Sequence, residues 1–206
     1  LSADGLSLWR EEELLHRDKL NEGTSVAVLG WNRENEDSAT SFTIAVPENF
    51  AKSEVLNKKN FLSFWVSGST EKPPNPAKNG QDLEDADKED ENAEWKPEPP
   101  NFTIELVDSD GDVGQIPMQD VATLAPPLRV QVLKPKGLNR ELYHNPWDPV
   151  LQTCELPLGR FTTVNPELDL SQIRKIRFRF DQSSKGVILL DNIGIRPAAR
   201  WASAPK

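Results

Sequence analysis

One tryptophan alternates with small polar residues along a predicted strand. Trp65 lies between Ser63 and Ser67, and the intervening positions are apolar. Successive side chains of a strand point to opposite faces, so Trp65 is expected outside the core, where its indole can stack on a sugar ring. Ordinary packing is the competing interpretation for Trp31, Trp65 and Trp147. It is favoured for any single tryptophan, because tryptophan is usually highly buried.

Two arginines share the non-core face of another predicted strand. Arg177 and Arg179 alternate with apolar residues, and Glu105 and Glu155 occupy comparable faces of other strands. If these strands lie in one sheet with Trp65, the residues form a polar binding floor whose guanidinium groups donate to hydroxyls or to a carboxylate. Cross-strand charge pairing on a solvated sheet explains the same pattern and is the favoured interpretation.

An aromatic and polar loop separates two predicted β regions. Residues 143–149 read Tyr-His-Asn-Pro-Trp-Asp-Pro. Exposed aromatic faces can stack on sugar rings while neighbouring polar groups hydrogen-bond the hydroxyls. We therefore predict that Tyr143 and Trp147 close one end of a ligand site from this loop.

Signatures of hydrolytic chemistry are weak. His16 and His144 are the two histidines, and the chain has neither a Gly-x-Ser-x-Gly elbow nor a His-Glu-x-x-His motif. A nucleophile needs a base beside it, so no catalytic triad is predicted. A glycosidase-like pair of carboxylates stays open as a third alternative, since spacing alone does not reject it. The chain is predicted not to be an enzyme.

A short acidic run resembles the start of a calcium-binding loop. Residues 108–112 read Asp-Ser-Asp-Gly-Asp. The EF-hand pattern places Gly sixth and Glu twelfth, whereas here Gly111 is fourth and Gln119 is twelfth. Because Asp-Gly between two β segments is a strong hairpin signal, the run predicts a turn.

The composition excludes several classes of partner. The chain has 206 residues with 24 basic and 33 acidic side chains, a net charge of −9. Nucleic acid is not predicted as a partner, because phosphate binding needs clustered Lys and Arg. No apolar run approaches the roughly 20 residues of a membrane span. Cys154 is the one cysteine, so no internal disulfide forms.

One acidic, proline-rich segment differs from the rest of the chain. Residues 69–100 contain ten acids, four lysines and six prolines. With so few apolar side chains the segment cannot offset its ordering entropy, so we predict a mobile insertion loop between two strands. We expect proteases to cleave within this segment, and we expect shortening the segment to change the melting temperature little.

The remaining pattern predicts an all-β fold. Apolar and β-branched runs, broken by Gly, Pro, Asn and Asp, favour a two-sheet antiparallel β-sandwich of the jelly-roll type over residues 1–206. Short helices are candidates at 11–15, 47–57 and 169–174. The predicted strands cover residues 25–31, 41–46, 61–67, 102–107, 128–133, 150–156, 173–180 and 186–193.

The last third of the chain resembles a known family. Residues 173–181 and 186–195 are similar to the last two strands of galactose-binding-like jelly-roll domains, and residues 152–158 with Phe161 resemble the strand and corner before them. These domains include carbohydrate-binding modules attached to secreted bacterial hydrolases. The resemblance implies a non-catalytic carbohydrate-binding module of a larger, secreted or cell-surface bacterial protein. Its partners would be a polysaccharide or glycan and a neighbouring domain.

The same resemblance carries two further expectations. In that family calcium is often held between the N-terminal strand and the final strand, and Asp191 matches the acidic position there, with a partner among Glu11, Glu12 and Glu13. Capping of backbone amides at the turn is an equally weighted role for Asp191. Some such domains only buttress a catalytic neighbour, so a structural accessory β-sandwich without a free ligand is the alternative function.

Overall fold

The architecture is a sandwich of two antiparallel sheets. Among the described residues each sheet has five strands, and two further short strands pair with each other. The all-β, two-sheet prediction is therefore confirmed. The computed structural model of the protein describes residues 2–4, 7–13, 25–33, 40–48, 55–69, 99–129 and 147–198.

The element bounds agree closely with the predicted strands in the second half of the chain. Helix α1 spans Leu158–Val164, and 3-10 turns cover Met118–Asp120 and Leu170–Gln172. The strands are Ser2–Asp4 (β1), Ser7–Glu13 (β2), Ser25–Asn32 (β3), Thr40–Ala45 (β4), Phe61–Gly68 (β5), Thr103–Asp108 (β6), Val113–Pro117 (β7), Leu128–Arg129 (β8), Trp147–Asp148 (β9), Gln152–Pro157 (β10), Ile173–Phe180 (β11) and Lys185–Arg196 (β12). The strand order is β1-β4-β11-β6-β7 in the first sheet and β10-β5-β12-β3-β2 in the second, and β8 pairs with β9.

A cluster of aromatic rings lies in the core between the two sheets. The Phe178 ring of β11 lies 5.4 Å from the ring of Phe64 in the facing sheet. It also lies 6.4 Å from Phe42 and 6.1 Å from Phe102. All four side chains are buried, so Phe178 packs within its own sheet and across the sandwich at once. Such ring pairs add stabilising free energy beyond that gained from the apolar area they bury.

Trp31 closes one side of this core. Its ring stacks on Phe180 with centroids 4.5 Å apart, and its Nε1 donates to the Ser183 carbonyl at 3.1 Å. Trp31 is buried, so the packing interpretation is confirmed for this tryptophan. The indole has both an apolar contact and a hydrogen-bond acceptor, which is the usual requirement for a buried tryptophan.

The acidic run at 108–112 forms the predicted turn. β6 and β7 pair as a hairpin, and Gly111 has a φ of 94°, a conformation that glycine adopts without strain. The buried Asp108 carboxylate organises the turn, since its Oδ1 accepts from the backbone N–H of Asp110 and Asp112 at 3.0 and 2.9 Å. Its Oδ2 accepts from the N–H of Asp169 at 3.1 Å.

Asp108→Ala is expected to lower the free energy of unfolding by about 1 kcal/mol. The change leaves three backbone N–H groups without their acceptor, and water replaces it only in part. Urea denaturation followed by circular dichroism measures the effect. Asp110→Ala is the matched control, because its exposed side chain lies on the same turn and its N–H donor is kept. Equal midpoints for both variants would show that the carboxylate does not hold the turn.

Two helix predictions need correction. Glu11, Glu12 and Glu13 belong to strand β2, which pairs with β3, and residues 14–15 lie outside the described residues. The helix predicted at 169–174 is a 3-10 turn of Leu170–Gln172 only, after which β11 begins. Most of the third candidate, residues 49–54, lies outside the described residues, as does 130–133 of the strand predicted at 128–133.

Helix α1 was not predicted. Its sequence, Leu-Gly-Arg-Phe-Thr-Thr-Val, contains glycine and three β-branched residues, which are weak helix formers. Leu158 and Phe161, three residues apart, are both buried and anchor the helix to the core. Tertiary packing rather than local propensity therefore determines this helix.

The acidic segment is described only at its ends. Residues 70–98 lie outside the described residues, so its predicted mobility stays a prediction. At one end the Ser69 N–H donates to the Val187 carbonyl at 3.0 Å. At the other, Pro100 lies close enough to Gly68 that an added Cβ there would be 3.3 Å from its ring. Both ends of the segment therefore lie beside the end of β5.

Candidate functional site

Trp65 lies on the outer face of the second sheet. Its side chain is 37% exposed, whereas Leu62, Phe64 and Val66 on the opposite side of β5 are fully buried. The predicted non-core position of Trp65 is therefore confirmed. Ser63 and Ser67 on the same face are buried, so the indole stands out from a strand that is otherwise covered.

Polar residues flank Trp65 on both neighbouring strands. In register, Trp65 pairs with Thr153 of β10 on one side and with Asp191 of β12 on the other. Thr153 is exposed and Asp191 is half-buried. Cross-strand partners lie about 4.5–5.5 Å apart, so one ligand can contact the indole, the hydroxyl and the carboxylate together. We call this surface the tryptophan face, and it comprises Trp65, Thr153, Asp191, Glu155, Gly194 and Arg196.

An ion pair bounds the tryptophan face. Arg196 of β12 donates from Nη1 to Glu155 Oε1 of β10 at 2.6 Å, so the pair spans β5, which lies between these strands. Gly194 is in register with Ser63 beneath this pair, and a Cβ added at Gly194 would meet nothing within 4 Å. The space directly above Gly194 is therefore unfilled.

Asp191 makes a local hydrogen bond. Its Oδ1 accepts from the backbone N–H of Asn192 at 2.6 Å, at a bulge where Asn192 adopts a φ of 51°. This is the capping role considered for the residue. Calcium at Asp191 stays a prediction, because β2, which carries Glu11 to Glu13, lies two strands away and its side chains are not described. Among the described residues, no three His, Cys, Asp or Glu side chains are grouped to hold a metal ion.

The two arginines lie on the other side of the sandwich. Arg177 and Arg179 belong to β11 in the first sheet, whereas Trp65 belongs to β5 in the second. The shared floor required these strands to lie in one sheet, and that condition is not met. We call the outer surface of the first sheet the arginine face, and it comprises Thr43, Thr103, Glu105, Gln115, Lys175, Arg177, Arg179 and Asp181.

The arginine face is built on a buried carboxylate. Glu105 of β6 is 1% exposed, although it points away from the sandwich core, and its Oε2 accepts from Arg177 Nε. Its Oε1 lies 3.1 Å from Arg179 Nη1. Arg179 also forms a salt bridge to Asp181, with Nη2 2.6 Å from Oδ2. The Thr103 hydroxyl donates to the other oxygen of Asp181, Oδ1, at 2.9 Å. Cross-strand charge pairing is therefore confirmed for Glu105.

The structure describes the predicted site residues of the 143–149 loop only in part. Tyr143 and His144 lie outside the described residues, and Trp147 forms part of the two-residue strand β9 opposite Arg129, with its side chain not described. Their ligand contacts stay predictions. Sequence reasoning missed Thr153 as a site residue, although its outward position follows from the alternation of β10.

The one cysteine is a packing residue. Cys154 is buried in the core, and burial raises the pKa of its thiol to about 11. The thiol therefore stays protonated near neutral pH and behaves as a small apolar side chain.

Comparison with known proteins identifies the fold but not a family. No family model and no curated protein sequence matches the chain. Among solved structures, the family 30 carbohydrate-binding module of the cellulosomal cellulase Cel9D-Cel44B of Clostridium thermocellum is similar, with a TM-score of 0.52 and 10% identity over 87% of this chain and 78% of that chain. A second family 30 module gives a TM-score of 0.52 and 12% identity, over 90% and 73%.

These similarities define the class of fold. The chain has the jelly-roll β-sandwich of carbohydrate-binding modules, as the resemblance of its last third implied. At 10–12% identity the likeness shows the fold alone. No helix within the described ranges is long and apolar enough to cross a membrane.

Proposed function

We propose that this domain is a non-catalytic carbohydrate-binding module whose ligand lies against the tryptophan face. One observation carries the proposal: the exposed indole of Trp65 on β5 stands between Thr153 of β10 and Asp191 of β12. A sugar presents an apolar ring face and a rim of hydroxyls, and this surface offers a partner for each. The fold supports the proposal as an analogy.

The chemistry of the face suits weak, repeated contacts. The indole shields one sugar ring from water, and Asp191 has a second carboxylate oxygen that accepts from a hydroxyl. Stacking contributes about 1 kcal/mol beyond area burial, so affinity must come from several sugar units along the surface. The Arg196–Glu155 pair lies where a neighbouring unit would contact it.

We also propose that the module serves a larger secreted bacterial protein. A similar module belongs to a cellulosomal cellulase, which supports attachment to an enzyme that acts on a polysaccharide. In that setting the module would hold its neighbour near the polymer, and catalysis would be left to the neighbouring domain. In the alternative function, a structural accessory domain, the exposed indole of Trp65 packs against the neighbouring domain and not against a sugar.

Trp65→Ala is expected to reduce retention on polysaccharides at least tenfold and to change the melting temperature little. The residue supplies the stacking surface, but its partial exposure means that the core does not depend on it. Affinity electrophoresis in gels with soluble β-glucans and a pull-down on insoluble cellulose measure retention. Val164→Ala on α1, at a residue 58% exposed, is the matched control.

Two results contradict the proposal. A parent protein retained by no polysaccharide in a broad panel would leave the tryptophan face without a sugar ligand. Trp65→Ala that unfolds the domain would show that the indole is part of the core. Either outcome favours the structural accessory domain without a free ligand.

A further inference from the structure

Arg177 has unused hydrogen-bonding capacity. Its Nε donates to Glu105, while its two terminal nitrogens make no hydrogen bond within the part of the chain that the structure describes. The side chain is 33% exposed. Arg179 differs, because its nitrogens contact Glu105, Asp181 and Gln115. Arg177 is therefore the arginine whose terminal nitrogens are available to a ligand.

The Arg177 guanidinium is held in place before any ligand arrives. Glu105 fixes one edge of it, and Glu105 is itself buried and held by Arg179. Arg179 is anchored in turn by Asp181, whose second oxygen accepts from Thr103. Side chains locked by such a network lose little entropy on binding, which is the general requirement for a preorganised site.

The surroundings of Arg177 are cationic and hydroxyl-bearing. Lys175, two residues earlier on the same face of β11, is exposed, and Thr43 of β4 is in register with Arg177. Lys175 and Arg177 therefore place two cations side by side at one end of the arginine face. Toward the other end, Arg179 lies beside Asp181, and Asp4 of β1 is in register with Ser41, the β4 partner of Arg179.

We infer that the arginine face binds the carboxylate of an acidic sugar, a uronate unit of a polysaccharide, through the terminal nitrogens of Arg177. A guanidinium fork matches a carboxylate in bidentate geometry, Lys175 adds a second cation, and Thr43 can hydrogen-bond a ring hydroxyl. Among the described residues, no strand of the first sheet carries an exposed large apolar side chain. Peptide partners normally need such anchors, so the surface fits a polyhydroxylated ligand better. This site is independent of the tryptophan face, on the opposite side of the sandwich.

Titration with trigalacturonate, followed by amide chemical shifts, tests the site. Shifts are expected along residues 175–179 and in Thr43, and the same residues should not respond to a neutral cello-oligosaccharide. Arg177→Gln should weaken trigalacturonate binding about tenfold, and raising the salt concentration should weaken it further. Arg160→Gln, which removes an equal charge from helix α1, should leave binding unchanged. Arg177→Lys keeps the charge but removes the fork, so it should lose most of the affinity.

Several outcomes would overturn the inference. Shifts absent from β11, or an Arg160→Gln variant weakened as much as Arg177→Gln, would leave only general charge attraction. Binding of a sulfated oligosaccharide or an acidic peptide as tight as that of trigalacturonate would remove the uronate assignment. If Arg177→Gln fails to fold, Lys175→Gln serves instead, since Lys175 is exposed, and its unchanged affinity would count against the site. Retention of neutral glycans through Trp65 would not support the uronate site, because it tests the tryptophan face alone.

Discussion

Phe178→Ala is expected to lower the free energy of unfolding by about 3–5 kcal/mol. The side chain is fully buried, and its ring contacts Phe42, Phe64 and Phe102 from both sheets. Truncation removes the transfer free energy of a phenyl ring and leaves a cavity that neighbours on two different sheets cannot jointly fill. Urea denaturation followed by tryptophan fluorescence and circular dichroism gives the difference directly.

The appropriate control for Phe178→Ala is an apolar truncation at the surface. Leu128→Ala removes a side chain that is 62% exposed, so its effect should stay within about 0.5 kcal/mol. A loss below about 1 kcal/mol for Phe178→Ala would mean that the two sheets are not joined through this ring. In that event the aromatic cluster would not be the centre of the core.

The position of Phe178 was evident from the sequence. Ile176, Phe178 and Phe180 alternate with Arg177 and Arg179, and the observed strand β11 has the bounds that this alternation predicts. A period of two decides which side of a strand faces the core, and that decision was also right for Trp65. The same logic predicted the hairpin turn after β6, where Asp-Gly is a direct local signal.

The relation between the two candidate faces was not evident from the sequence. Alternation shows that Trp65 and Arg177 both point away from the core, but it does not show which sheet each strand joins. In a jelly roll, successive strands cross between sheets, and β11 and β12 do so here. Which sheet a strand joins depends on long-range pairing, which alternation does not reveal. The prediction that Trp65 and the arginines share one site was wrong because their strands lie in different sheets.

The burial of Glu105 had no sequence signal either. A glutamate on the non-core face of a strand is expected to be solvated, yet this one is 1% exposed. Its burial depends on Arg177 and Arg179, which lie on the neighbouring strand β11 and reach it only because β6 pairs with β11. A buried carboxylate needs such partners, so the pairing explains how the residue is tolerated.

Gly186→Ala is expected to lower the free energy of unfolding by about 2–3 kcal/mol. Gly186 is in register with Trp31, and an added Cβ would lie 2.5 Å from Cζ2 and 2.7 Å from Cη2 of the indole. The indole cannot move aside cheaply, because it stacks on Phe180 and donates to the Ser183 carbonyl. Overpacking of this kind forces off-rotamer side chains or a backbone shift.

Gly194→Ala on the same strand separates this clash from any general effect of replacing glycine in β12. A Cβ at Gly194 would meet nothing within 4 Å, so the variant should match the parent or gain slightly, because alanine restricts the unfolded chain. For a chain of this size 1 kcal/mol corresponds to about 2–4 °C in melting temperature, so thermal denaturation resolves the two variants. If Gly186→Ala and Gly194→Ala have the same melting temperature, Trp31 is not held against β12. A selective loss at Gly186 would instead show that the absence of a side chain there is what lets the indole close the core.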